Sequence, residues 1–189
     1  MSGNATARGA ASPDIGRRRL LCAGGSIIFL IAISGVARAD TRGDRRLSLY
    51  NPHTDERFDD VYWCDGGYVE QSRKRINWLM RDFHRDAVAP IDADLLDLLN
   101  RLTASLETEG SVEILSGFRT AATNRLLQHE GHNAAAHSEH LLGKAADIRI
   151  GGVRLKHLRR AALSLNAGGV GTYWRDGFVH VDVGPVRHW

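Results

Sequence analysis

The chain has 189 residues, with 25 Lys and Arg against 22 Asp and Glu, 9 His, 2 Cys and 4 Pro, for a formal net charge of +3. At 43% hydrophobic and 25% charged residues it has the usage of a globular chain and not of a disordered, collagen-like or polytopic one, and its length suits one domain with an appendage. Two cysteines exclude a disulfide-dense scaffold and a four-cysteine zinc site, so a metal site in this chain draws on His and carboxylates.

Residues 1–16 are small and polar and lead into Arg17-Arg18-Arg19, then an apolar stretch from Cys22 to Val36. A positive segment followed by an apolar one is the order of an export signal, and the stretch is short of the ~20 apolar residues of a comfortable membrane span. It ends in Ala37-Arg38-Ala39, a small-x-small cleavage pattern, so residues 1–39 read as the signal and 40–189 as the mature domain. The arginines before Leu20-Leu21 resemble a twin-arginine signal. An uncleaved N-terminal anchor is the other reading, and both take the domain out of the cytoplasm, to a periplasmic location. Removing residues 1–39 takes away five basic residues and one acid, which leaves 20 basic against 21 acidic residues and a net charge of −1. The basic balance therefore belongs to the signal and offers no ground for nucleic-acid binding. Only Cys64 remains after cleavage, so no internal disulfide is possible, and no stable membrane span is expected.

Along the mature chain, Leu47–Tyr50 reads as a short strand ended by Asn51-Pro52. Ile76, Leu79, Met80 and Phe83 recur at helical spacing and predict a helix from about Val69 to Phe83. A second helix is expected after Pro90, capped by Asp92 and striped by Leu95, Leu98, Leu99, Leu102 and Leu106. Val112 and Ile114 alternate with polar neighbours and predict a strand running into Ser116-Gly117-Phe118-Arg119. Thr120 or Thr123 then caps a short helix carrying Leu126 and Leu127, which breaks near Gly131. Ala145–Ile150 reads as a strand, Leu155, Leu158, Ala162 and Leu165 stripe a helix that stops at Gly168-Gly169, and Phe178–Val183 is the last clear strand. With helices first and strands clustered later, the pattern predicts one α+β domain, not a doubly wound one, with a small antiparallel sheet and helices packed on it.

In Phe178–Val183 the two-residue period puts the valines on one face and Phe178, His180 and Asp182 on the other, and in the earlier strand Ile148 and Ile150 lie opposite Asp147 and Arg149. If the two strands are antiparallel neighbours, Asp147, His180 and Asp182 point into one space. The plainer reading is that these polar faces are simply solvated. Between them, His140 stands three residues before Gly143 and seven before Asp147, so a glycine turn can swing a loop histidine and a strand carboxylate onto one ion. Two His and one Asp with an open fourth position is a donor set for catalytic zinc.

Ser116-Gly117-Phe118-Arg119, the Ser-x-His-x-x-Gly-x-Ala-x-Asp run from Ser138 to Asp147, and His180-Val181-Asp182 together resemble the zinc D-Ala-D-Ala peptidases, within the lysostaphin, D-Ala-D-Ala peptidase and hedgehog metallopeptidase group. Gly168-Gly169-Val170-Gly171 before the last strand and Gly184–Trp189 after it resemble the exported murein endopeptidase K branch, a similarity that spans about Leu47 to Trp189. The resemblance implies Zn2+ held by His140, Asp147 and His180, peptidoglycan stem peptides as substrate, and hydrolysis of their cross-links. It also implies that Arg119 stabilises the oxyanion at the scissile carbonyl. Read from its surroundings alone, Arg119 is equally an ion-pair partner at the surface.

The general base is where the chain departs from its better-known relatives. Many carry a Glu three residues, or a His two residues, before the last ligand, and here those positions are Gly177 and Phe178. Asp182, on the face of His180, is the candidate for base or for a carboxylate that orients a ligand, with His137 in reserve. His129-Glu130-Gly131-His132 mimics a metallopeptidase helix, but its histidines are three apart and not four. Cys64 reads as a small buried thiol before it reads as a nucleophile. Two functions stand: a zinc hydrolase of peptidoglycan cross-links, and a zinc-holding domain that binds peptidoglycan or a partner without cutting.

Overall fold

The computed structural model describes residues 43–131 and 134–189. The expected export signal of residues 1–39, and the start of the mature chain at Asp40, lie outside the described residues. None of the described helices is long and apolar enough to cross a membrane.

The chain runs through β1 (Arg45–Asn51), β2 (Glu56–Cys64), β3 (Gly67–Tyr68), α1 (Glu70–Leu79), α2 (Ala93–Ser105), β4 (Val112–Ser116), α3 (Ala121–His129), a 3-10 helix (Glu139–Leu142), β5 (Ala145–Ile150), α4 (Leu155–Leu165), β6 (Gly169–Tyr173), β7 (Phe178–Asp182) and β8 (Arg187–His188). All eight strands join one sheet in the order β3-β2-β1-β4-β5-β7-β6-β8. Neighbours are antiparallel except β1 with β4 and β6 with β8, which run parallel. The fold is α+β as the pattern predicts, but two expectations are corrected. The sheet is neither small nor wholly antiparallel, and three strands precede the first helix. β2 escapes the periodicity because only Phe58 and Tyr62 of its apolar residues are buried, among Glu56, Arg57, Asp59 and Asp60. β6 escapes it because two of its five residues are glycine.

One face of the sheet is apolar. Leu47, Leu49, Val112, Ile114, Ile148, Ile150, Val179 and Val181 meet the helices there, at 3% exposure or less. α2 packs on β1 and α4, and α4 packs on β5, β6 and β7. Leu95, Leu96, Leu98, Leu99 and Leu102 of α2 are buried, each withdrawing a side chain worth ~2 kcal/mol from water. Asp92 caps α2 by accepting from the Asp94 N–H at 2.9 Å.

α1 ends at Leu79, short of the expected Phe83. The residues that would extend it have other partners. The Met80 carbonyl accepts from the Phe118 N–H at 2.8 Å, and Arg81 turns into an ion pair with Glu56 at 2.6 Å. Asp82 accepts from the Thr120 N–H and hydroxyl at 2.9 and 2.8 Å. Phe83 leaves the helix stripe and stacks on His53, ring centroids 4.3 Å apart. These contacts fasten the Ser116–Thr120 loop, which matters because that loop forms one wall of the site.

Candidate metal centre

The antiparallel register of β5 and β7 sets Asp147 directly opposite His180, so one sheet pair alone presents a carboxylate and an imidazole side by side. His140 reaches them from the 3-10 helix. That short helix starts where Ser138 accepts from the His140 N–H at 3.3 Å and stops at Gly143, whose φ of +67° suits glycine. A Cβ there would also sit 2.4 Å from the Pro90 carbonyl oxygen, so the turn closes only without a side chain.

Three atoms converge: Nε2 of His140, Nδ1 of His180 and Oδ1 of Asp147, all within 4.8 Å of one another. The separations are 3.2 Å between the imidazoles, 2.9 Å from His180 to Asp147 and 3.3 Å from His140 to Asp147. Exposure is 2% for His140, 6% for Asp147 and 7% for His180. The outer ring nitrogens are both occupied. Nδ1 of His140 donates to the Gly117 carbonyl at 2.7 Å, and Nε2 of His180 faces Asp182 Oδ2 at 2.9 Å. Fixing the proton on the outer nitrogen turns the inner lone pair toward the shared space, which is the arrangement metal-binding histidines adopt. Two imidazole nitrogens and one carboxylate oxygen are the donor set of a catalytic zinc site with room for a further ligand. The chemistry of these residues therefore fits zinc.

The electrostatics of His140 and of the two carboxylates agree, whereas His180 is drawn toward its charged form by the carboxylates on either side of it. Burial pushes the His140 imidazole toward its neutral form. Burial would raise the Asp147 carboxyl, but His140, His180 and the Arg119 guanidinium outweigh it and hold it well below the usual carboxylate range. Burial also disfavours charge on His180, yet hydrogen bonds to Asp147 and Asp182 outweigh it and raise its pKa. At Asp182 the penalty of burial is overcome by His180 and by the Gly169 and Gly184 N–H groups, and its pKa falls to about 2.

Arg119 lies in the site, not at the surface. Its Nη2 pairs with Asp147 Oδ2, and its Nε donates to Ser116 Oγ at 2.7 Å. Asp182 is fully buried. Its Oδ1 accepts from the Gly169 and Gly184 N–H groups at 2.9 Å each and from Arg187 Nη1 at 3.2 Å, and its Oδ2 accepts from Arg187 Nη2 at 2.8 Å. His137 is exposed, at the rim of the same cleft. The cleft, of about 1100 Å3, runs past His140, Asp147 and His180.

Sequence reasoning missed the wall beside His180. Gly171 of β6 stands opposite His180, and a Cβ on it would lie 2.5 Å from the Trp189 ring. Trp189 fills that place, 5.3 Å from the His180 ring, and its Nε1 donates to the Tyr173 hydroxyl at 3.2 Å. Tyr173 in turn stacks on Phe178 at 4.4 Å. Only glycine at every second position of a strand hints at such a wall, and nothing in spacing says what covers it. Of the other histidine and cysteine readings, His129 ends α3 while His132 lies outside the described residues, and Cys64 ends β2, which β1 and β4 separate from β5.

Residues 39–189 match the family described as peptidoglycan L,D-endopeptidase MepK. The chain is 38% identical over 178 residues to the peptidoglycan L,D-endopeptidase MepK of Escherichia coli (strain K12), a match covering 93% of this chain and 98% of that protein. The same identity and coverage hold for the Shigella flexneri protein of that name. A probable peptidoglycan L,D-endopeptidase MepK of Haemophilus influenzae is 34% identical over 179 residues, covering 93% of this chain and 96% of the relative. No solved structure matches the chain.

Proposed function

Since the chain belongs to the peptidoglycan L,D-endopeptidase MepK family, we propose that it is an exported, periplasmic zinc peptidase that cuts peptide cross-links between peptidoglycan stem peptides, at the L,D bonds for which its relatives are named. The observation that carries this reading is the convergence of His140 Nε2, His180 Nδ1 and Asp147 Oδ1 on one point beside a cleft.

His140, Asp147 and His180 are assigned as the zinc ligands. A zinc ion held there would supply Lewis acidity for polarising the amide carbonyl and for making water a nucleophile near neutral pH. The remaining roles belong to the chain. Gly117 and Asp182 hold the two imidazoles in the ligating tautomer through their outer nitrogens. Arg119 braces Asp147 with one arm and keeps its other amino group for the carbonyl oxygen, where negative charge develops. Between the two roles open to Asp182, burial and five accepted hydrogen bonds favour orientation over proton transfer. His137, exposed on the rim, is assigned proton transfer. The Trp189, Tyr173 and Phe178 wall gives the substrate an apolar surface beside the reacting bond.

A second reading, a zinc-holding domain that binds peptidoglycan without cutting it, draws support from Gly177 and Phe178 standing where better-known relatives carry a base. Incubation of the purified protein with muropeptide dimers of defined linkage separates the two. Product masses corresponding to L,D cleavage, lost with chelator and restored by zinc, are expected. Stoichiometric zinc without product establishes the binding role instead.

A further inference from the structure

We propose that Arg187 is a positioning residue for the metal centre, acting through Asp182 to hold His180 in place. The inference rests on the assignment of His180 as a zinc ligand.

The His180 ring lies between two carboxylates, with Asp147 at Nδ1 and Asp182 at Nε2, each 2.9 Å away. Each of those carboxylates is backed by one arginine. Arg119 pairs with Asp147, and Arg187 forks onto Asp182 through Nη1 to Oδ1 at 3.2 Å and Nη2 to Oδ2 at 2.8 Å. A histidine that ligates a metal is neutral, so with metal bound it offers Asp182 a hydrogen bond but no charge. Asp182 is fully buried, and an ionised carboxylate in such a place needs a counter-charge. Arg187 is the cation in contact with it. A guanidinium meets both oxygens at once and so fixes the plane of the carboxylate, which aims Oδ2 at Nε2.

The surroundings are built around this fork. The Pro185 carbonyl accepts from Arg187 Nη1 at 2.9 Å, and the guanidinium lies over the Trp189 ring at 5.3 Å. On β6, a Cβ at Gly169 would lie 2.4 Å from Asp182 Oδ2 and 2.8 Å from Arg187 Nη1, so the strand has given up a side chain exactly where the pair sits. Arg187 makes no hydrogen bond or ion pair with the three assigned ligands, and no spacing in the sequence connects it to them.

Zinc affinity of the full protein, measured by competition with a chromophoric chelator, tests the proposal, with visible absorption of the cobalt-substituted protein as a report on coordination geometry. Arg187→Ala is expected to weaken zinc about 10- to 100-fold and to alter the cobalt spectrum, with Arg187→Lys falling between it and the parent. Asp182→Asn is expected to weaken zinc similarly. Arg187→Ala added to Asp182→Asn is expected to cost nothing more, because the arginine acts through that carboxylate. Should Arg187→Ala fail to fold, Arg187→Lys and Arg187→Gln carry the same comparison.

Arg187 variants that bind zinc within twofold of a zinc-binding parent overturn the proposal, as do losses that multiply in the double variant. A raised KM with unchanged zinc affinity also overturns it, since that marks a substrate contact. A parent that binds no zinc overturns the ligand assignment, and this inference falls with it.

Discussion

Two polar clusters lie on different strands of the same sheet, and they surround a carboxylate in opposite ways. At the β1–β3 end, Asp97 of α2 is met entirely by donors: the Tyr62 hydroxyl at 2.8 Å, the Tyr68 hydroxyl at 3.1 Å and Arg45 at 2.7 Å. Burial and Asp97 together raise the Tyr62 pKa, so that hydroxyl keeps its proton and donates at every ordinary pH. At the β5–β7 pair, Asp147 Oδ1 is met by two imidazoles whose outer nitrogens are already taken by Gly117 and Asp182. The first cluster is complete in itself and works as a rivet between α2 and three strands. The second brings together two ring nitrogens and a carboxylate oxygen that could hold a metal ion. A hydrogen-bonded acid therefore says little about function until its partners have been sorted into donors and acceptors.

The sharpest way to break that contrast is Asp147→Ala. It is expected to remove stoichiometric zinc and all peptidoglycan hydrolysis, and by leaving Arg119 unpaired to cost about 3 kcal/mol of stability in the metal-free protein. Metal analysis and urea denaturation check the two halves. Asp97→Ala strands three donors and is expected to cost about 3 kcal/mol as well, yet to leave zinc affinity unchanged; a fall in zinc affinity would show that the two clusters are not independent.

Asp82→Asn comes next, at about 2 kcal/mol near pH 7, because that carboxylate ties the Ser116–Thr120 wall to the end of α1. Burial would raise the Asp82 pKa, but hydrogen bonds from Thr123, Thr120 and the His84 N–H outweigh it and lower it. A lowered carboxylate pKa contributes stability above its unfolded value and loses it as pH falls through the folded one. Denaturation series below pH 4 should therefore show a shallower acid limb for the metal-free variant than for the metal-free parent. Tyr62→Phe, which removes one donor of the rivet and no charge, is expected to cost about 1 kcal/mol with no change in hydrolysis.

β5 and β7 were the most legible part of the chain. Alternation in Ala145–Ile150 and Phe178–Asp182 marks both the valine and isoleucine face and the Asp147, His180 and Asp182 face, and the structure pairs those strands in register. The α2 leucine stripe and its Asp92 cap were equally plain. β2 was not, since only Phe58 and Tyr62 of its apolar residues are buried, too few to show a period, and they become so by the packing of the strand against α1. Arg187 and Trp189 were hidden for a related reason. Their value lies in what β6 omits, and an omitted side chain carries no periodicity. The early end of α1 was set by hydrogen bonds to the Phe118 and Thr120 region, about forty residues distant, which no local propensity encodes.

The bare glycine strand also separates two duties that most clefts combine. β5 and β7 carry Asp147 and His180, while the surface beside His180 is furnished by Trp189, laid into the gap at Gly171. A smaller ring or an aliphatic chain in place of the indole would reshape that surface without changing a residue of β5 or β7. Position 171 has no such latitude, because any side chain there evicts the indole. Residue 171 thus decides that a ring can lie beside His180 at all, and residue 189 decides the shape of the surface that the ring presents.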